Sequence, residues 1–182
     1  LIIPGTPLDV VGFCCTSAST VIGEEAVFQE LSSGRGDATR FTTPITAALA
    51  AFRSLGVKRL ALLTPYIGQV NEIFIDYVHK HSQVQVVKLW TFNLSDDRDV
   101  ARVCQDDIIE AGAKLAQTTD VDAIFISCTN LRVMQAVSRI EEMSGKACTS
   151  SNHALAWHAL RLMGHSQDLS KKWGKLFSKQ MT

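Results

Sequence analysis

Proline is scarce, with four residues in 182, and no low-complexity stretch occurs, so the composition does not suit a disordered chain. Charge of one sign is also missing. Eighteen Lys and Arg balance 18 Asp and Glu, leaving no electrostatic footprint of a nucleic-acid partner. No apolar run approaches the roughly 20 residues that span a bilayer, and no signal-peptide pattern is present. The five cysteines lack framework spacing, and there is no Cys-x-x-Cys or His-x-x-His, which argues against a disulfide scaffold and against zinc. Neither a P-loop nor a Gly-x-Gly-x-x-Gly occurs. Five such cysteines fit a reducing cytosol, so a cytoplasmic protein is expected. At 46% hydrophobic residues it can bury one good core or two small ones. The chain opens at Leu1-Ile-Ile-Pro4 without Met, on what reads like the end of an earlier element, so a preceding segment is expected.

What is present is an internal repeat. Leu8-Asp-Val-Val-Gly-Phe-Cys-Cys15-Thr-Ser17 and Val121-Asp-Ala-Ile-Phe-Ile-Ser-Cys128-Thr-Asn130 align at a constant offset. Each reads as an aliphatic residue, an Asp, an apolar run suited to a buried strand, then Cys-Thr and a small polar residue. Further strands are expected over 38–42, 58–63 and 84–92, and near Ala147-Cys148. Helices are expected over 23–33, 45–55, 69–81, 99–117 and 131–143, with a last one after Asn152. Thr43-Pro44 suits an N-cap followed by a first helical residue, and Gly56 a helix stop.

Alternating strands and helices call for an α/β fold, parallel sheets with helices on both faces, and ligands in such folds sit at the carboxyl ends of the strands. That end gathers Cys15-Thr-Ser17, Thr42-Thr43, Thr64-Pro-Tyr66, Cys128-Thr-Asn130 and Ser150-Ser-Asn152. Hydroxyls, amides and free N–H groups at helix starts hold carboxylates without many cations. Leu169, Trp173, Leu176 and Phe177 form an apolar stripe among lysines, expected to be a docking or dimer helix, with a membrane-surface helix as the alternative.

A cysteine at a strand-to-helix corner has a lowered pKa and serves as base or nucleophile. Two such thiols permit proton removal from one face of a carbon acid with return on the other. They also permit thiolate addition to a double bond, rotation and elimination. Cys104 and Cys148 are read as small hydrophobes, and Cys14 as structural and pointing away from Cys15. Asp96-Asp-Arg-Asp99 is read as a helix-start cluster, and His153 as a surface or supporting residue.

Cys15-Thr-Ser-Ala-Ser19, Thr42-Thr43, Thr64-Pro-Tyr66 with Val70-Asn71, Ser127-Cys-Thr-Asn-Leu-Arg132 and Ser150-Ser-Asn152 resemble the aspartate/glutamate racemase superfamily. Within it they are most similar to the branch of maleate cis–trans isomerase, arylmalonate decarboxylase and ectoine-utilisation proteins, over residues 8 to 164. Val21-Ile-Gly-Glu-Glu25 and Leu94-Ser-Asp-Asp-Arg98 lean toward the ectoine-utilisation group. The resemblance implies two pseudo-symmetric lobes with a cleft between them: residues 1–43 plus 149–182, the last part an extra tail, and residues 44–148. It implies a cofactor-independent isomerase or racemase of a small carboxylic or amino acid, forming a homodimer or higher oligomer. Cys15 and Cys128 would be catalytic. Thr16, Ser17, Thr43, Tyr66, Thr129 and Asn130 would bind substrate. A decarboxylase-like lyase using Cys128 alone, and a non-catalytic or redox-sensing thiol protein, stay open beside it.

Overall fold

The computed structural model describes residues 6–33, 38–117 and 120–181. In chain order the elements are β1 (Val10–Gly12), α1 (Thr16–Ile22), α2 (Glu24–Ser32), β2 (Arg40–Thr42), α3 (Pro44–Leu55), β3 (Arg59–Thr64) and α4 (Gly68–His81). They continue as β4 (Gln85–Thr91), α5 (Asp97–Val100), α6 (Gln105–Ala116), β5 (Ala123–Ile126), α7 (Met134–Ser144), β6 (Ala147–Ser150), α8 (Ser151–Leu162) and α9 (Ser170–Trp173). A 3-10 turn over Lys175–Ser178 follows.

Among the described residues the strands form two sheets, a pair β1-β2 and a four-stranded sheet in the order β4-β3-β5-β6, parallel throughout. The inner strands β3 and β5 read as near-continuous apolar runs because both faces are covered. On one face Leu63, Ile124 and Ile126 meet Ile108 of α6 and Val137 and Ile140 of α7. On the other, Leu60, Leu62 and Phe125 meet Phe52 of α3 and Phe74 of α4. Phe125 lies edge-on to Phe52 at 5.2 Å and stacks on Phe74 at 5.8 Å, so one ring locks two helices to the sheet.

Helix α3 has the start its sequence dictates. The Thr43 hydroxyl accepts the Thr46 N–H at 3.1 Å, Pro44 follows it, and Gly56 closes the helix at φ +71°. Its alanines, Ala47, Ala50 and Ala51, allow close approach of Trp157 on α8, and Leu176 and Phe177 complete that cluster.

Several expectations are corrected. The 99–117 segment is two helices, because the Asp96 carboxylate caps α5 through the Arg98 N–H at 2.8 Å and the chain is extended at Cys104, the exposed N-cap of α6. Cys104 is therefore not a core hydrophobe. His153 is fully buried, with Thr149 Oγ1 on Nδ1 at 2.9 Å and the Trp173 carbonyl on Nε2 at 2.6 Å. Burial lowers its pKa to about 4, so it is a neutral core strut and not a surface group.

The tail docks on its own chain, with Leu176 and Phe177 buried. It is not one helix, since Gly174 at φ +84° breaks it and the Glu141 carboxylate accepts the next N–H, of Lys175, at 2.9 Å. No helix among the described residues is long and apolar enough to cross a membrane.

Candidate active site

Strands β1, β3, β5 and β6 run parallel within their sheets, and their carboxyl ends carry Cys15, Tyr66, Cys128 and Ser151 respectively. A cleft of about 630 Å³ is lined by Cys15, Thr16, Ser17, Tyr66, Cys128, Thr129 and Asn130, with Ile67, Val70, Leu94, Ser95, Asp97 and Val100 completing its walls. Seven of the eight residues singled out from sequence thus meet in one recess. The eighth, Thr43, has no exposed surface, and its hydroxyl serves the start of α3 and bonds Thr46 Oγ1 at 2.8 Å. It caps a helix and does not reach the cleft.

Cys15 is half-buried and is the N-cap of α1, with ordinary extended backbone at φ −132° and ψ 115°. Its carbonyl accepts the Ser19 N–H at 3.0 Å, and its sulfur lies 3.7 Å from Ser17 Oγ. The thiol therefore sits at the start of a helix and opens onto the cleft. Helix α1 itself lies outside the 23–33 span in which the sequence pattern placed the first helix.

Cys128 is built differently. No helix begins at it, since α7 starts only at Met134. Its backbone has φ +106°, a conformation disfavoured for any residue with a Cβ. Such a geometry costs on the order of 1–3 kcal/mol and needs surrounding contacts to hold it. Those contacts are present: the Cys128 N–H donates to Ser151 Oγ at 3.0 Å, and the Asn130 N–H points at the sulfur at 3.4 Å.

Burial pushes the Cys128 thiol pKa up, while the Asn130 and Leu131 N–H groups and the Tyr66 hydroxyl pull it down; the negative charge of Asp97 adds to the upward push. The net direction is up, so at neutral pH Cys128 is a thiol and not a thiolate.

Tyr66 is anchored by its main chain. Its carbonyl accepts Asn71 Nδ2 at 2.9 Å and Thr91 Oγ1 at 2.5 Å, and Asn71 is itself held by Thr64 Oγ1 at 2.6 Å. The phenol oxygen accepts the Ser127 hydroxyl at 3.2 Å. Burial, with Cys128 adding to it, raises the phenol pKa, so Tyr66 remains a neutral donor.

Ser151 was not singled out from sequence, although its Ser-Ser-Asn corner was. Its hydroxyl is fully buried and accepts both the Thr16 hydroxyl at 2.9 Å and the Cys128 N–H. The residue after one cysteine and the backbone of the other thus share one oxygen. Two more bonds tie the same loops: Thr129 Oγ1 donates to the Cys14 carbonyl at 3.1 Å, and Asn152 Nδ2 to the Thr129 carbonyl at 2.8 Å. Asn130 Nδ2 donates to the Asp97 carbonyl at 2.6 Å. Among the described residues, no group of three or more His, Cys, Asp or Glu is placed to hold a metal ion.

Residues 7–177 match the sequence model of the arylmalonate decarboxylase family, so the similarity runs into the tail beyond residue 164. The chain is 31% identical over 137 residues to arylmalonate decarboxylase of Bordetella bronchiseptica, covering 75% of this chain and 57% of that one. It is 23% identical over 160 residues to maleate isomerase of Geobacillus stearothermophilus, covering 84% of this chain and 63% of that one. The crystal structure of a cysteine-to-alanine variant of the maleate isomerase Iso from Pseudomonas putida S16, with maleate, superposes with a TM-score of 0.83 at 25% identity. That alignment covers 94% of this chain and 70% of the other. The chain therefore spans 57% and 63% of the length of these two curated relatives.

Proposed function

The chain belongs to the arylmalonate decarboxylase family, and from that premise we propose that it is a cofactor-independent isomerase or racemase of a small carboxylate, working through Cys15 and Cys128. The observation that carries the reading is the pair of thiols on one cleft, their loops joined through Ser151 Oγ. One substrate carboxylate accepts hydrogen bonds from the hydroxyls of Ser17 and Tyr66 and from free N–H groups of the strand-tip loops. Cys15, at a helix start, acts as base or nucleophile. Cys128, kept protonated by burial, delivers a proton from the other side.

On a carbon acid, the Cys15 thiolate takes the α-proton, the electron pair moves into the carboxylate as an enediolate, and the Cys128 S–H reprotonates carbon on the opposite face. On a double bond, the thiolate forms an S–C bond while the π pair moves into the adjacent carboxylate as an enediolate. The single bond left behind rotates, and return of the pair with cleavage of the S–C bond restores the double bond and the thiolate. Both routes balance without an external redox partner. We place this activity in a cytoplasmic homodimer or higher oligomer with lobes 1–43 plus 149–182 and 44–148. Across that proposed division α3 packs on α8 through Ala47, Ala50, Ala51 and Trp157.

The test is turnover by Cys15→Ala and Cys128→Ala, each expected to lose at least about a thousandfold. Unchanged turnover in either would end the reading. A second reading, a lyase that protonates an enediolate from Cys128 alone, is favoured by the 31% identity to the Bordetella decarboxylase. Indifference to Cys15→Ala with loss on Cys128→Ala would select it. Two inert thiols, neither shielded by carboxylates, would instead select a binding module.

A further inference from the structure

Asp97 is the sole charged side chain among the described residues that line the cleft. It stands in the first turn of α5 between two acids that are already engaged. Asp96 pairs with Arg98 at 2.7 Å, and Asp99 with Arg102 at 2.9 Å. No ion pair holds the Asp97 carboxylate among the described residues. Its backbone, by contrast, is fastened to the reaction centre, because the Asp97 carbonyl accepts Asn130 Nδ2 at 2.6 Å, two residues from Cys128.

The charge reaches the thiol as well, adding to the upward push on Cys128. Leu94, Val100, Ile67 and Val70 give the wall its aliphatic part, with Ser95 beside them, and no Lys, Arg or His lines it. The recess therefore offers neutral donors for a carboxylate together with one negative charge and aliphatic surface. Asp97 is exposed, so its field is partly screened, but a second carboxylate in the recess would still be repelled by it and a protonated amine attracted.

We propose that Asp97 sets the substrate class: a small α-amino monocarboxylate whose ammonium faces Asp97 and whose side chain is apolar, in preference to a dicarboxylate. The inference rests on the two-thiol function proposed above. On such a substrate, Cys15 removes the Cα proton and Cys128 returns one, inverting the centre. The ammonium beside Cα helps to stabilise the enediolate.

Exchange of the Cα–H for deuterium in D2O, followed by NMR, should proceed on alanine, 2-aminobutyrate and valine, with kcat/KM at least about tenfold above that for isomerisation of maleate. Asp97→Asn keeps the backbone carbonyl that holds Asn130. It should lose about tenfold on the amino acids and gain about tenfold on maleate. Alkylation of Cys128, read by peptide mass, should shift to lower pH in the same variant, which a purely structural role for Asp97 would not produce.

Equal or better use of maleate by the unaltered chain, or an unchanged ratio in Asp97→Asn, overturns the proposal. Loss of maleate turnover in Cys15→Ala and Cys128→Ala would then show that the two-thiol reading survives it. Should the chain turn nothing over, shielding of Cys128 from alkylation decides. Shielding by amino acids that weakens in Asp97→Asn supports the proposal. Shielding by dicarboxylates alone, or by neither, overturns it.

Discussion

The two cysteine corners carry the same sequence pattern and are built in opposite ways. Cys15 has relaxed backbone, partial exposure and the start of a helix beneath it. Cys128 has positive φ, near-complete burial and a loop of N–H groups in place of a helix. The difference teaches how a duplicated motif can divide labour. One thiol stands partly open at a helix start, and the other, buried against a tyrosine and within reach of an acid, is poised to keep its proton.

Exchange at the corners themselves should separate them most. Cys128→Ala is expected to abolish turnover under either enzymatic reading. Cys15→Ala abolishes isomerisation but spares any decarboxylation, so assaying both variants with maleate and an arylmalonate breaks the comparison if their profiles coincide. Next in size is the oxygen they share. Ser151→Ala strands two buried donors, the Thr16 hydroxyl and the Cys128 N–H. It should cost about 2 kcal/mol in urea unfolding, from the penalty for unpaired buried groups. It should also lower activity, because both thiols shift, and Ser151→Thr should recover part of each effect.

Backbone strain gives a smaller signal, and only at Cys128. Cys128→Gly should be more stable than Cys128→Ala by about 1 kcal/mol, since glycine accepts φ +106°. At φ −132° Cys15 carries no such strain, and any difference between Cys15→Gly and Cys15→Ala reflects its N-cap place on α1. No advantage of glycine over alanine at Cys128 would remove strain from the account. The smallest effect is kinetic. The folded pKa of Cys128 lies above its ordinary value, so its thiolate appears only as pH rises through that raised pKa, and iodoacetamide labelling at pH 7 should be slower than for an exposed thiol.

Much of this was legible in the sequence, for reasons that can be named. The apolar runs ending in Cys-Thr mark strands whose period and burial are unambiguous at Ala123–Ile126. The Thr43-Pro44 and Gly56 signals bracket α3 with no outside help. Helix α1 was illegible because its buried face is polar. Thr16, Ser19 and Thr20 face inward, and Ser19 and Thr20 return their hydroxyls to the Thr16 carbonyl, so no apolar period exists to find. Thr43 carried two readings in one residue, and the cap took the hydroxyl. Ser151 matters through what the fold brings near it, Thr16 from 135 residues away. The apolar stripe of the tail was visible, but the Gly174 break and the Glu141 anchor that fold it back were not.

The bond from Thr129 to the Cys14 carbonyl has a mechanical meaning. Together with the Ser151 bridge it fastens the two thiol loops to each other, so bonds of the scaffold set the gauge between them. On the proposed function a reactant must turn inside that gauge. The Cys128 amide proton, sealed beneath Ser151, should exchange with solvent only when that gauge springs open, giving a clock for how seldom it does.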